Sequence, residues 1–170
     1  MRTVGVLKPL VTSDAANAET RTILREYYHA ARSLRVTLHV EDVQGPDAFD
    51  HAFATMKKER VDAVMLIPNP LLFAYRARLI ELSAKMRLPL MGWSREFSDD
   101  GAVLAYGANN AQMICQAASY VARILHGAKP ADLPVQQPTT FELVINLKTA
   151  KALGLTIPPS LLQRADQVTE

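Results

Sequence analysis

The sequence predicts a single α/β domain, a mostly parallel sheet flanked by helices, and three observations predict it. Short apolar runs rich in β-branched residues alternate with amphipathic stretches of roughly 12–18 residues, the rhythm of repeated βαβ units. Ala63-Val64-Met65-Leu66-Ile67 is apolar without a break, as in a strand buried on both faces of a parallel sheet. The chain has 170 residues, 49% of them apolar and 21% charged, which suits one compact core, so residues 1–170 are read as one lobe.

The elements follow in order. Thr3-Val4-Gly5-Val6-Leu7 is the first strand, closed by Lys8-Pro9, and Thr12-Ser13-Asp14 offer caps for a helix from about Ala16 to Ser33. Val36-Thr37-Leu38-His39-Val40 alternates as a second strand. Gly45-Pro46-Asp47 then opens a helix in which Phe49, Phe53 and Met56 recur at spacings of four and three. Pro68-Asn69-Pro70 breaks the third strand before a helix from Leu71 to Met86, and Leu88 to Met91 and Ala102 to Ala105 supply two more strands. Tyr106-Gly107-Ala108-Asn109 leads into a helix from Asn110 to Leu125 that ends at Gly127. Beyond Pro130 come a strand at Leu143-Val144-Ile145 and short helices near Thr149–Leu153 and Ser160–Ala165. The simplest strand order is 2-1-3-4, because right-handed crossovers build outward from the first strand.

Several function classes are disfavoured. Nineteen basic against seventeen acidic residues leave +2, with the signs interspersed, so no nucleic-acid footprint stands out. Cys115 is alone, and His29, His39, His51 and His126 are scattered, so no metal is expected. The amino terminus has no secretory h-region, which places the chain as written in the cytoplasm, or in the periplasm if it is a fragment of a longer exported protein. No apolar run reaches the ~18 residues of a membrane span, so the chain is not expected to be embedded in a membrane.

In open parallel sheets ligands bind beyond the carboxyl ends of the strands, so chemistry is sought in the loops there. Those loops contain Thr12 and Ser13, Asn69, then Trp93, Ser94 and Arg95, and finally Tyr106. Hydroxyls, an amide, a guanidinium and aromatic rings suit a small polar or aromatic solute, and these seven residues are the expected ligand contacts. The bland alternatives are equally concrete: Trp93 anchoring its loop, Asn69 capping a helix, Arg95 and Glu96 as solvated charges. Gly5 belongs to no Gly-x-Gly-x-x-Gly turn, no phosphate-binding loop occurs, and Ser94 lacks both flanking glycines and a nearby histidine. Asp99-Asp100 before Gly101 reads as a turn. Neither catalysis nor a cofactor is expected.

The stretch Gly127-Ala128-Lys129-Pro130-Ala131-Asp132-Leu133-Pro134, through Phe141-Glu142-Leu143-Val144-Ile145-Asn146, to Gly154-Leu155-Thr156-Ile157-Pro158 resembles bacterial ABC-transporter substrate-binding proteins of the tryptophan- and tyrosine-transport type. Pro68-Asn69-Pro70, Arg95-Glu96-Phe97 and Tyr106-Gly107 look like further landmarks of that family in the same order. The resemblance implies a Rossmann-like or flavodoxin-like lobe of a type I periplasmic-binding-protein fold, corresponding to the carboxy-terminal half of a two-lobe protein. It implies a small amino-acid-like or aromatic solute and, for an exported protein, an ABC permease as partner. Lys8-Pro9 stands where relatives tend to have Asn-Pro, which weakens the first loop as a contact. Residues 109–134 are expected to pack on another lobe or on a partner chain. The apolar face of Ile114, Ala117, Ala118, Val121 and Leu125 makes a homodimer the expected state. The alternative is a cytoplasmic sensory or interaction module, or a truncated remnant with no transport role.

Overall fold

The computed structural model describes residues 2–9 and 14–170, built around one seven-stranded sheet. Strands β1 (Arg2–Pro9), β2 (Val36–Val43), β3 (Ala63–Leu66), β4 (Leu90–Gly92) and β5 (Leu104–Ala108) run parallel. Strand β6 (Phe141–Asn146) turns antiparallel to β5, and β7 (Gln167–Thr169) lies parallel to β6. The order β2-β1-β3-β4-β5-β6-β7 contains the expected 2-1-3-4 core and extends it by three strands on one side.

The helices are α1 (Asp14–Leu34), α2 (Phe49–Lys58), α3 (Pro70–Ala74), α4 (Arg76–Met86), α5 (Arg95–Asp99), α6 (Asn110–Leu125), α7 (Leu147–Ala152) and α8 (Pro159–Leu162). One 3-10 turn, Pro46–Ala48, leads into α2, and a second, Pro130–Asp132, follows α6. The one helix expected over residues 71–86 is two, because Tyr75 leaves helical geometry (φ −102°, ψ 18°) where its ring meets Phe49 edge-on at 5.9 Å. The loop expected after β4 contains α5, and β7 was not foreseen at all.

Residue parity decides what each sheet face covers. A side chain at Gly5 would point at Met56 and Val61, so that face of β1 looks toward α2. Phe49, Phe53 and Met56 of α2, Leu79 and Leu82 of α4 and Phe97 of α5 are buried there in one continuous core. Each such side chain contributes about 1.5–3 kcal/mol by leaving water. Beneath them Asn146, itself buried, donates to the Ser98 carbonyl (3.0 Å) and accepts from the Thr149 amide (2.9 Å), tying β6 and α7 to the end of α5.

The opposite face is only partly covered. Helix α1 lies over β2, and beside it an apolar trough of about 700 Å³ runs across the sheet. Its α1 wall includes Tyr27, Ala30 and Leu34, and its floor Leu38, Met65 and Leu104. Helix α6 stands apart from this face: none of its residues is buried and none lines the trough.

Three helix-to-strand turns share one device. Arg35 and Arg87 adopt φ 55° directly after α1 and α4, and Arg60 does so one residue beyond the end of α2. Two of these turns close with a bond back to the fifth residue before, Val61 N to Met56 O (3.0 Å) and Leu88 N to Ser83 O (2.9 Å).

Candidate functional site

The carboxyl ends of β3, β4 and β5 form one rim. Because β6 is antiparallel, its first residues arrive at the same rim, with Phe141 opposite Ala108 and Glu142 opposite Gly107. Four loops therefore meet where a purely parallel sheet would bring three.

Asn69 follows β3 and caps α3, its Oδ1 accepting from the Leu71 amide at 2.8 Å. The helix-cap alternative is thus realised, yet the residue also lines a shallow cleft of about 480 Å³ with Pro68, Pro70, Phe73, Trp93 and Asn110. Trp93 is half-buried, with its ring centroid 4.5 Å from Phe97 and 6.4 Å from Phe73, so it anchors its loop and lines the cleft at once. A Cβ at Gly107 would strike the Trp93 carbonyl oxygen, which is why β5 can approach this loop so closely. Arg76 closes the back of the aromatic cluster, its guanidinium 4.7 Å from the Phe73 centroid and 2.7 Å from Asp100.

Ser94 is buried at the N-cap of α5. Its hydroxyl lies near the Glu96 carboxylate without a well-aligned bond, and among the described residues neither Ser94 Oγ nor Glu96 Oε2 has another partner. That hydroxyl is the largest influence holding the Glu96 carboxyl below the usual glutamate range, against the opposing effect of burial and with help from the helix backbone, Arg76 and Arg95. Exposed Arg95 reaches two acids, Glu142 at 3.5 Å and Asp99 at 3.7 Å. Asn109 caps α6 through the Gln112 amide (2.9 Å) and sends its side-chain amide toward Glu142 at a long 3.5 Å. Ser94, Arg95, Glu96, Asn109, Asn110 and Glu142 line a second cleft of about 100 Å³, and Asn110 joins it to the first.

The rim offers an aromatic wall, side-chain amides and a guanidinium facing a carboxylate. The Glu96 carboxylate, held below its ordinary range, is a weak base for the neighbouring Ser94 hydroxyl. Among the described residues no group of three or more His, Cys, Asp or Glu is placed to hold a metal ion. No helix of the described residues is long and apolar enough to cross a membrane.

Of the residues expected from sequence, Asn69, Trp93, Ser94 and Arg95 are brought together. Tyr106 stands instead on the trough face, half-exposed and stacked on Phe141 at 5.9 Å. Thr12 and Ser13 lie outside the described residues. Sequence reasoning missed Phe73, Asn109, Asn110 and Glu142. The Asn109-Asn110 pair at a helix start was a usable signal, whereas Glu142 needed the direction of β6.

Comparison with known proteins gives a consistent picture. A family model described as ABC transporter substrate binding protein matches residues 3–169. No curated protein matches the chain. A conserved domain protein from Vibrio cholerae shares 24% identity at a TM-score of 0.85, over 99% of this chain and 55% of its own. An ABC domain from Streptococcus pneumoniae in complex with L-Trp shares 24% identity at 0.84, over 98% and 56%. A ligand-free, open substrate binding protein with adhesive properties from Clostridium difficile shares 17% at 0.67, over 99% and 54%. At these identities the solved structures establish the fold, and the chain spans a little over half the length of each.

Proposed function

We propose, from the premise that this chain belongs to the ABC transporter substrate-binding protein family, that its strand-end rim holds a small amino-acid-like or aromatic solute without transforming it. The observation that carries this reading is the joined pair of clefts. Trp93 and Phe73 supply faces for an apolar or aromatic group, and Arg95 opposite Glu142 supplies one charge for each end of a zwitterion. The L-Trp bound by the Streptococcus pneumoniae relative points to the same class of guest.

A rim of this shape covers one side of a solute, so affinity gained by one lobe alone is modest and a second surface must close on the other side. We assign that surface to a second copy of the chain, making the working unit a homodimer. In an exported context the loaded unit would deliver its solute to an ABC permease, and without export it would act inside the cell. The uncovered helix α6 favours a second reading, a sensory or interaction module in which solute binding changes association with a partner chain.

The deciding experiment is a thermal-shift screen with L-tryptophan, L-tyrosine, other amino acids and small aromatic acids, followed by calorimetry. A ligand at one hundred times its dissociation constant adds about 2.7 kcal/mol of stability, well within detection. Unmoved melting across the whole panel at millimolar concentration defeats the solute-binding reading.

A further inference from the structure

Among the described residues two apolar surfaces have no partner, and they match. Ile114, Ala118, Val121 and Leu125 recur at spacings of four, three and four, so they form a continuous stripe along α6. Ile114 is 70%, Val121 56% and Leu125 80% exposed, in a helix whose only charged residue is Arg123. The opposite flank of α6 is already engaged, since Tyr120 donates to the Pro134 carbonyl (2.6 Å) and Gln116 to Gln136 (2.7 Å). The stripe is therefore the side left over.

The second surface is the trough beside α1, and no charged residue lines it. Helices packed on a sheet lie about 8–10 Å apart, so a floor running on from α1 to β5 leaves room for one more helix alongside it.

We propose that α6 of a second copy of this chain lies in the trough, its Ile114–Leu125 stripe on the floor, and that the exchange is reciprocal about a two-fold axis. The proposal rests on the homodimer reading above and supplies its geometry. A second copy is favoured over other occupants because each molecule carries both halves of the contact, so one two-fold operation satisfies both surfaces at once. The size is adequate: a 16-residue helix is about 24 Å long and 10 Å across, and two reciprocal dockings cover on the order of 1,000 Å². Because α6 springs from Asn109 and Asn110 at the rim, the exchange also carries the rims of the two copies toward each other.

The test uses two single variants and their mixture. Val121→Glu places a charge on the exposed stripe, and Ala30→Glu places one on the trough wall at an exposed position. By size-exclusion with light scattering the wild type is expected to be a dimer at micromolar concentration, and each variant a monomer, with dimerisation weakened about a hundredfold or more. Mixing the variants should restore a heterodimer, because one intact helix then meets one intact trough. A monomeric wild type, a dimeric variant of either kind, or a mixture that stays monomeric each overturns the proposal, a dimeric Ala30→Glu beside a monomeric Val121→Glu in favour of stripe against stripe. The occupant is something other than a second copy if the wild type is monomeric and its trough takes up a separate chain. L-tryptophan titrated into monomeric Val121→Glu separates the two readings, since rim binding can persist when dimerisation fails and the reverse.

Discussion

Gly107 and Trp93 meet backbone to backbone: the space where a Cβ of Gly107 would stand is occupied by the Trp93 carbonyl oxygen. The contact sets how closely β5 approaches the loop after β4, and so sets the distance between the two clefts. Gly107→Ala must push the strands apart, and it is expected to cost about 1–3 kcal/mol in urea unfolding while also weakening solute binding. An alanine variant with unchanged midpoint and affinity shows the approach to be slack.

Among the described residues Arg95 is the one guanidinium lining the two clefts, yet two acids already share it. Arg95→Ala is expected to weaken a carboxylate-bearing solute by about 1.5–3 kcal/mol in calorimetry. Glu142→Gln should weaken an amino acid more than the corresponding carboxylic acid without an amine. Equal losses for both ligands remove Glu142 as the partner of an ammonium group.

Trp93 is the only tryptophan, so it reports on the cleft without labelling. Solute entering beside it should shift or quench its emission in proportion to occupancy. Trp93→Phe is expected to keep most of the packing against Phe97 and Phe73, whereas Trp93→Ala should cost about 2–3 kcal/mol of stability. A saturating solute that leaves the emission untouched binds elsewhere.

The Glu96 carboxyl lies below its ordinary value of 4.5 in the folded chain, chiefly through the Ser94 hydroxyl. Between the folded and unfolded values the unfolded chain binds more protons. The stability that Glu96 supplies is therefore complete above 4.5 and is lost as pH falls through the lower folded value. Thermal melts of wild type and Glu96→Gln should converge in that acid window and diverge above it. A constant gap across the range ends the linkage.

Buried Asn146 binds both Ser98 and Thr149, and replacing it with Ala strands two backbone groups. The expected cost is about 2–4 kcal/mol by chemical denaturation.

Much of the architecture was legible because it is written in local patterns. The apolar run Ala63–Ile67 fixed a central strand, although only its Val64 and Leu66 side is buried and Ala63 and Met65 face the half-covered trough rather than a second closed layer. The Phe49, Phe53, Met56 spacing fixed the inner face of α2. What escaped was set by contacts distant in sequence. Nothing local tells that Tyr75 interrupts a helix, or that β6 runs against β5 and so delivers Glu142 to the rim. Half of the rim could be read from Asn69 and the Trp93-Ser94-Arg95 loop, since strand ends announce loops. Tyr106 shows the limit: two residues short of the end of β5, its direction is decided by strand parity rather than by nearness to the loop.

The three arginines at φ 55° suggest how far this chain stands from the most stable version of itself. Each sits where glycine relaxes most easily, and each helix-to-strand corner therefore holds a small conformational tension, on the order of 1 kcal/mol. Evolution has left three independent surface positions at which the scaffold could be made sturdier without touching its guest-facing edge.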